Sequence, residues 1–242
     1  MAESELVPPP ADGRVFRHRA AAGLADVAPS GRARLDAIAR WLQDAALADV
    51  VDSGLDGGGV WVLRRLRLCV ARFPRLGDAL EVRTFCSGTG ALVAERRSTV
   101  VVAGAGGEPA VEALALWVHL DPDGAHPRPL PDGFEAVYGA TAAGRRVRAR
   151  LRHPPVPPAG APQRPWRFRA ADLDIAGHVN NSVYWQVVEE ELVGREPPGD
   201  GVDVEIEYRA PGDVGDAVVL AGEEMRWIAA DGDVLATVRL GD

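Results

Sequence analysis

The chain has 242 residues, enough for two domains of ordinary size. Apolar residues make up 47% of it, which supports packed cores and excludes global disorder. All 27 basic residues are Arg, against 35 acidic ones, and the net charge of -8 excludes a nucleic-acid binder that relies on its overall field.

Residues 1 to about 13 are acidic and Pro-rich, the composition of a loose arm. Asp26-Val-Ala-Pro-Ser-Gly31 then leads into Leu35, Ile38, Leu42 and Ala45, whose steps of three and four predict a helix over 33–52. Ser30 is a candidate cap. Alternation predicts strands at Arg65–Arg72 and Leu80–Phe85, separated by a turn at Phe73-Pro-Arg-Leu-Gly-Asp78. Further strands are expected at Leu92–Val102 and Ala110–Leu120. His153 to Pro165 holds six prolines, which remove backbone donors and mark a break in regular structure.

Beyond the break the pattern repeats. Asp172-Leu-Asp-Ile-Ala-Gly177 aligns with Asp26 to Gly31 and leads into Tyr184, Val187 or Val188, and Leu192, a helix over 180–193. Asn180 or Asn181 can cap it. Strands follow at Val202–Arg209, Ala217–Leu220, Glu224–Ile228 and Val234–Leu240, with Asp231-Gly232 as the last hairpin turn. Each half therefore reads as strand, helix and antiparallel meander. The expected class is α+β, with a long helix wrapped by a curved antiparallel sheet in each half.

The stretch Asp172-Leu-Asp-Ile-Ala-Gly-His-Val-Asn-Asn-Ser-Val-Tyr184 resembles the signature of hotdog thioesterases, in particular the acyl-acyl-carrier-protein thioesterases of plants and bacteria. Trp61-Val-Leu-Arg-Arg-Leu66, the Phe73 turn, Leu116-Trp-Val118 and Glu205-Ile-Glu-Tyr-Arg209 extend the resemblance over most of residues 20 to 240. It implies a tandem (double) hotdog, with a non-catalytic domain over 14–152 that holds the acyl chain and a catalytic domain over 164–242. Two departures stand out. The motif Asn is replaced by Ala176, and the acid expected near Ala210 or Pro211 is missing, with Gly212 where a Cys often stands.

Thioester hydrolysis needs an attacking group and donors for the oxygen that becomes negative. Asp174 is the candidate general base or nucleophile, and His178 is its candidate partner. Gly177 permits close backbone approach, and the N–H groups of His178 and Val179 at a helix start are expected to form the oxyanion hole. Asp172, Asn180, Asn181 and Glu190 are supporting candidates. The first half carries Ala28 and Arg32 at the positions of Asp174 and His178, so it lacks the chemistry. Trp41, Leu42, Trp61 and Leu66 are candidates for the acyl lining, with plain core packing as the alternative for each.

The run Arg145 to Arg152 is the densest basic feature, and Arg145, Arg146 and Arg148 are expected to dock an acidic acyl carrier protein or the phosphates of an acyl-CoA. Hydrolysis of acyl-acyl carrier protein, hydrolysis of acyl-CoA, and non-catalytic acyl binding remain the alternatives. Cys69 and Cys86 lie in no CxxC pair, so neither a disulfide framework nor a metal site is expected, and no motif implies a cofactor. Met1 is followed by Ala-Glu-Ser-Glu, and no run of about 18 apolar residues exists. The expectation is a soluble cytoplasmic protein without a signal peptide or membrane span. A homodimer of the fused pair stays open.

Overall fold

The structure, a computed structural model, describes residues 6–55, 58–124, 126–192 and 201–241. The first half runs through β1 (Phe16–Ala21), a single 3-10 turn at Leu24–Asp26, α1 (Leu35–Ser53), β2 (Val60–Val70), β3 (Ala79–Thr89), β4 (Val93–Val102) and β5 (Pro109–Leu120). A short helix α2 (Phe134–Ala142) and a linker follow. The second half comprises β6 (Gln163–Phe168), a 3-10 turn at Ala170–Asp172, α3 (Trp185–Leu192), β7 (Val202–Tyr208), β8 (Gly215–Ala221), β9 (Met225–Ala230) and β10 (Asp233–Leu240).

These strands form one sheet, ordered β1-β3-β4-β5-β2-β7-β10-β9-β8-β6. Read inward from its own edge, each half has the same order: first, third, fourth, fifth, second. The halves join where β2 pairs antiparallel with β7, placing Leu66 opposite Ile206 and Leu68 opposite Val204. Asp231 and Gly232 both adopt positive φ, as a two-residue turn between β9 and β10 requires.

One hydrophobic core serves both halves. Leu35, Ile38 and Leu42 of α1 share a cluster with Trp185, Val187 and Val188 of α3 and with Leu66 and Ile206 from the seam. Each fully buried Leu or Ile contributes about 1.5–3 kcal/mol relative to exposure, so separating the halves would remove much of the stability of both.

Three sequence expectations need correction. The helix expected over 180–193 begins only at Trp185 and is described to Leu192; residues 181–184 form turns, and 193 lies outside the described residues. Tyr208 explains the delay: its hydroxyl donates to Asn181 O and accepts from Trp185 Nε1, each at 3.0 Å, and so holds the turn against β7. The proline-rich break is also more ordered than its composition suggests. Gln163, Arg164 and Pro165 pair with β8 at the sheet edge, where a missing ladder N–H is tolerated. Finally, α2 was not anticipated. It packs on β3 and builds a second small core of Cys86, Ala94, Phe134, Tyr138 and Ala142.

The start of the linker is pinned by buried charge. Arg145 pairs with Glu95 and also donates to Ser87 O at 3.2 Å. Buried His153 meets Glu205 through Nε2 at 3.1 Å, and its backbone N–H donates to Glu207 Oε2 at 3.0 Å. Ligand atoms of His153, Glu205 and Glu207 lie within 4.8 Å of one another, a spacing that suits a cation. The carboxylates are already engaged, however, by Arg65, Arg239 and Arg209 and by the N–H groups of Arg152 and His153. We therefore read the cluster as an anchor for the linker.

Candidate active site

The Asp172–Asn180 motif forms a tight hairpin rather than a helix start. Asp174 N–H donates to His178 O at 2.9 Å, Gly177 N–H to Asp174 O at 3.0 Å, and Asn180 N–H to Asp172 O at 2.9 Å. Gly177 has φ 77°, a conformation costly for any residue with a Cβ. Asp172 Oδ2 accepts from Arg169 N at 2.7 Å and ties the 3-10 turn before the hairpin.

The first half builds the same hairpin at a constant offset along the chain. Ala28 N–H donates to Arg32 O, Gly31 N–H to Ala28 O, and Arg34 N–H to Asp26 O, each at 2.8 Å. Gly31 has φ 79°, and Asp26 Oδ2 accepts from Gly23 N at 2.9 Å. The two hairpins thus share one backbone shape, while the side chains at corresponding positions differ.

In the second half, the half-buried Asp174 carboxylate accepts from Ala176 N at 2.9 Å through Oδ1 and from Asn180 Nδ2 at 3.5 Å through Oδ2. Asn180 in turn accepts from Ser182 N at 2.9 Å and Ser182 Oγ at 2.7 Å. Asn180 is therefore a loop tie that orients Asp174, not a cap on α3. No hydrogen bond joins the His178 ring to Asp174 among the described residues. The ring meets Asp213 instead, with Nδ1 3.2 Å from Oδ1, and both side chains are exposed.

No acid stands at Ala210 or Pro211, where the resemblance places one; the acid that meets His178 is Asp213, further along the same loop. Gly212 leaves room for the loop to close: a Cβ there would lie 2.4 Å from the Tyr184 hydroxyl. Burial first, and then the charge of Asp213, pushes the Tyr184 phenol above its ordinary range.

The oxyanion expectation also changes. Val179 N–H is already donated to Gly212 O at 2.8 Å and is not available to a ligand. His178 N–H has no acceptor among the described residues. Without a helix start at this point, the helix dipole gives His178 no direct support.

In the first half the equivalent site is plugged. Arg32 is 4% exposed and contacts Glu189 of α3 at 2.7 Å; Glu189 Oε2 also accepts the Leu35 N–H at 3.1 Å. Glu189 thereby caps α1, whose N-cap residue Arg34 has no side-chain cap, so Ser30 does not serve. Phe73 stacks under the Arg32 guanidinium, 4.9 Å from ring centroid to Cζ. Glu190, the expected supporting acid, is exposed, and the structural acid is its neighbour Glu189. The steps of four from Trp185 and three to Leu192 put Glu189, not Glu190, on the apolar face and could have separated these two. Asn181 contributes its backbone carbonyl to Tyr208, as described above.

A cavity of about 150 Å³ opens between α1, the sheet and α2. Leu47, Val50, Trp61, Cys86, Trp117 and Phe134 line most of it, with Gln43 and Arg96 as polar contributors. Arg96 is fixed to buried Asp49 at 2.6 Å, and Tyr138 donates to the same carboxylate at 3.1 Å. Of the expected lining residues, Trp61 faces this cavity, while Leu42 and Leu66 border a smaller void beside it. Trp41 lies in the main core and borders neither. Of the basic run, Arg146 and Arg148 are exposed, but Arg145 is half-buried and engaged by Glu95, so it is no free docking charge.

Solved structures with this architecture are hotdog-type thioesterases. An acyl-ACP thioesterase from Bacteroides thetaiotaomicron superposes with a TM-score of 0.76 at 17% identity, over 93% of this chain and 96% of its own. The 12:0-ACP thioesterase from Umbellularia californica gives 0.73 at 19% identity, over 99% and 98%. In sequence, an uncharacterized protein of Mycobacterium tuberculosis is 25% identical over 222 residues, covering 90% of this chain and 86% of that protein. The family models for the acyl-ACP thioesterase N-terminal domain and C-terminal domain match residues 13–138 and 159–229. The chain belongs to the acyl-ACP thioesterase family and is a thioester hydrolase.

Proposed function

We propose that this protein is a tandem hotdog that hydrolyses acyl-acyl carrier protein and releases a free fatty acid, with one reactive site at Asp174. The observation that carries this reading is the contrast between two hairpins of one shape. One presents a carboxylate, Asp174, beside an open His178–Asp213 pair, and the other is filled by Arg32 and Glu189.

In this reading the thioester carbonyl seats near His178 N–H. Asp174 takes the proton of a water whose oxygen attacks the carbonyl carbon, and the carbonyl electrons move onto oxygen. As they return, the C–S bond breaks and the thiolate takes up a proton, giving a carboxylic acid and the carrier thiol. Direct attack by Asp174 gives the same products through an anhydride that water then opens. Asn180 and the Ala176 N–H hold the carboxylate in place for either course. Asp213 orients the His178 ring by accepting from Nδ1, which leaves Nε2 as an acceptor. The cavity lined by Trp61 and Phe134 takes the acyl chain, and Arg146 and Arg148 attract the acidic carrier.

No described helix is long and apolar enough to cross a membrane, and a soluble cytoplasmic enzyme is part of this reading. The test is thiol release from matched panels of acyl-carrier-protein and acyl-CoA substrates. Preference for the carrier panel supports the proposal, and preference for acyl-CoA moves the substrate class. Binding of acyl-acyl carrier protein without release of thiol refutes hydrolysis.

A further inference from the structure

The plugged half shows which residue of the opposite half faces each hairpin. Glu189, on α3, reaches across to the first hairpin, where it accepts the Leu35 N–H at 3.1 Å and pairs with Arg32 at 2.7 Å. The constant offset that relates Asp26 to Asp172 and Gly31 to Gly177 carries Arg32 to His178, Leu35 to Asn181 and Glu189 to Gln43. The strand order of the two halves is the same, and α1 packs on α3. By this correspondence Gln43 is the first-half counterpart of Glu189.

Several observations at Gln43 agree. It borders both the 150 Å³ cavity, proposed above to take the acyl chain, and the smaller void beside it. It is half-buried, and its amide has no hydrogen bond among the described residues. The N–H groups of His178 and Asn181 likewise have no acceptor among the described residues. Val179 N–H, the second donor expected for the oxyanion, is committed to Gly212 O. With the Asn181 N–H taken by the facing side chain, as Leu35 N–H is by Glu189, His178 N–H is the backbone donor left for an oxygen that must bear full negative charge.

The chemistry of the exchange between halves points the same way. At the plugged hairpin the facing residue is Glu189, which neutralises buried Arg32. At the open hairpin its counterpart is Gln43, which has no charge. A carboxylate there would repel both Asp174 and the developing oxyanion, whereas an amide can accept from one N–H and donate through Nε2 to another oxygen.

We infer that Gln43 is a catalytic residue contributed by the first half: its Nε2 donates to the thioester carbonyl oxygen and, with His178 N–H, completes the oxyanion hole. This rests on the reading that the Asp174 site hydrolyses thioesters. The first half then supplies part of the reaction site as well as the acyl cavity.

The experiment compares wild type, Gln43→Ala, Gln43→Glu and Asp174→Asn as full chains, measuring kcat and KM on acyl carrier protein bearing a short and a long acyl chain. Thermal melts accompany the kinetics. Gln43→Ala should lower kcat about 10²- to 10³-fold, the usual loss for one oxyanion donor, by the same factor for both chains and with little change in KM. Gln43→Glu keeps the size of the side chain, so it guards against a folding failure, and near neutral pH it should lose at least as much. A mere lining role would instead move KM and chain preference. Wild-type kcat in Gln43→Glu, or a loss that appears only in KM for the long chain, overturns the assignment while Asp174→Asn remains inactive. A wild-type protein that releases no thiol overturns both this assignment and the hydrolase reading.

Discussion

Glu189→Gln is the sharpest test of the plugged site, because it removes one charge and almost no volume. Arg32 would stay buried at 4% exposure, with Ala33 O at 3.2 Å and the Phe73 ring as its remaining partners. Breaking a buried ion pair from one side typically costs about 3–5 kcal/mol, since the surviving charge is left uncompensated. The loss of carboxylate capping at Leu35 N–H belongs to the same estimate, because an amide oxygen can still accept there. For a chain of this size each kcal/mol lowers Tm by roughly 2–4 °C, so the midpoint should fall by about 6–20 °C. The double variant Arg32→Met/Glu189→Leu should recover most of that loss, because a well-packed apolar pair avoids the desolvation cost. Urea and thermal unfolding of the three proteins decide the matter. A Glu189→Gln midpoint equal to wild type, or a double variant less stable than the single one, would refute the argument that this pair seals the site.

Two further outcomes follow from the linker. Arg146→Ala/Arg148→Ala should raise KM for carrier-bound substrate at low salt and flatten its salt dependence, with kcat unchanged; steady-state kinetics at several ionic strengths checks this. Glu205 is affected most by burial, which alone would raise its pKa, but the hydrogen bond from His153 and the charges of Arg65 and Arg239 hold it below its ordinary 4.5. A depressed carboxylate adds stability above the unfolded value and loses it as pH falls through the folded one. His153→Ala should therefore make the decline in stability below pH 4.5 shallower, which acid titration of the unfolding free energy measures.

Much of the site was legible because its backbone demands are written in few residue types. Gly31 and Gly177 occupy positive φ, and the Asp two residues after each 3-10 turn's start ties that turn, so the duplicated hairpin showed through weak identity. The steps of Leu35, Ile38 and Leu42 marked α1 for the same reason: one face had to meet a core. Other features depend on tertiary contact. β1 and β6 are six-residue edge strands rich in Arg, and one holds Pro165, so neither shows a buried alternation over enough length to register. The helix α2 is only nine residues long and contains Gly139, and it forms against β3 rather than by propensity. Only the folded loop brings Asp213 to His178, and the position of Arg145 in a basic run hid its pairing with Glu95. That α3 starts late rests on Tyr208, distant in sequence, which no local pattern reports.

The central claim is that a single carboxylate, held by Asn180 and the Ala176 N–H, drives the reaction. Asp174→Asn keeps the shape of the side chain and can still accept from both donors, so the fold should persist in circular dichroism and thermal melts. Single-turnover thiol release from acyl-acyl carrier protein should fall by about 10²- to 10⁴-fold or more, the range of a lost general base. Undiminished release by a folded Asp174→Asn would contradict the account and place the chemistry elsewhere on the chain.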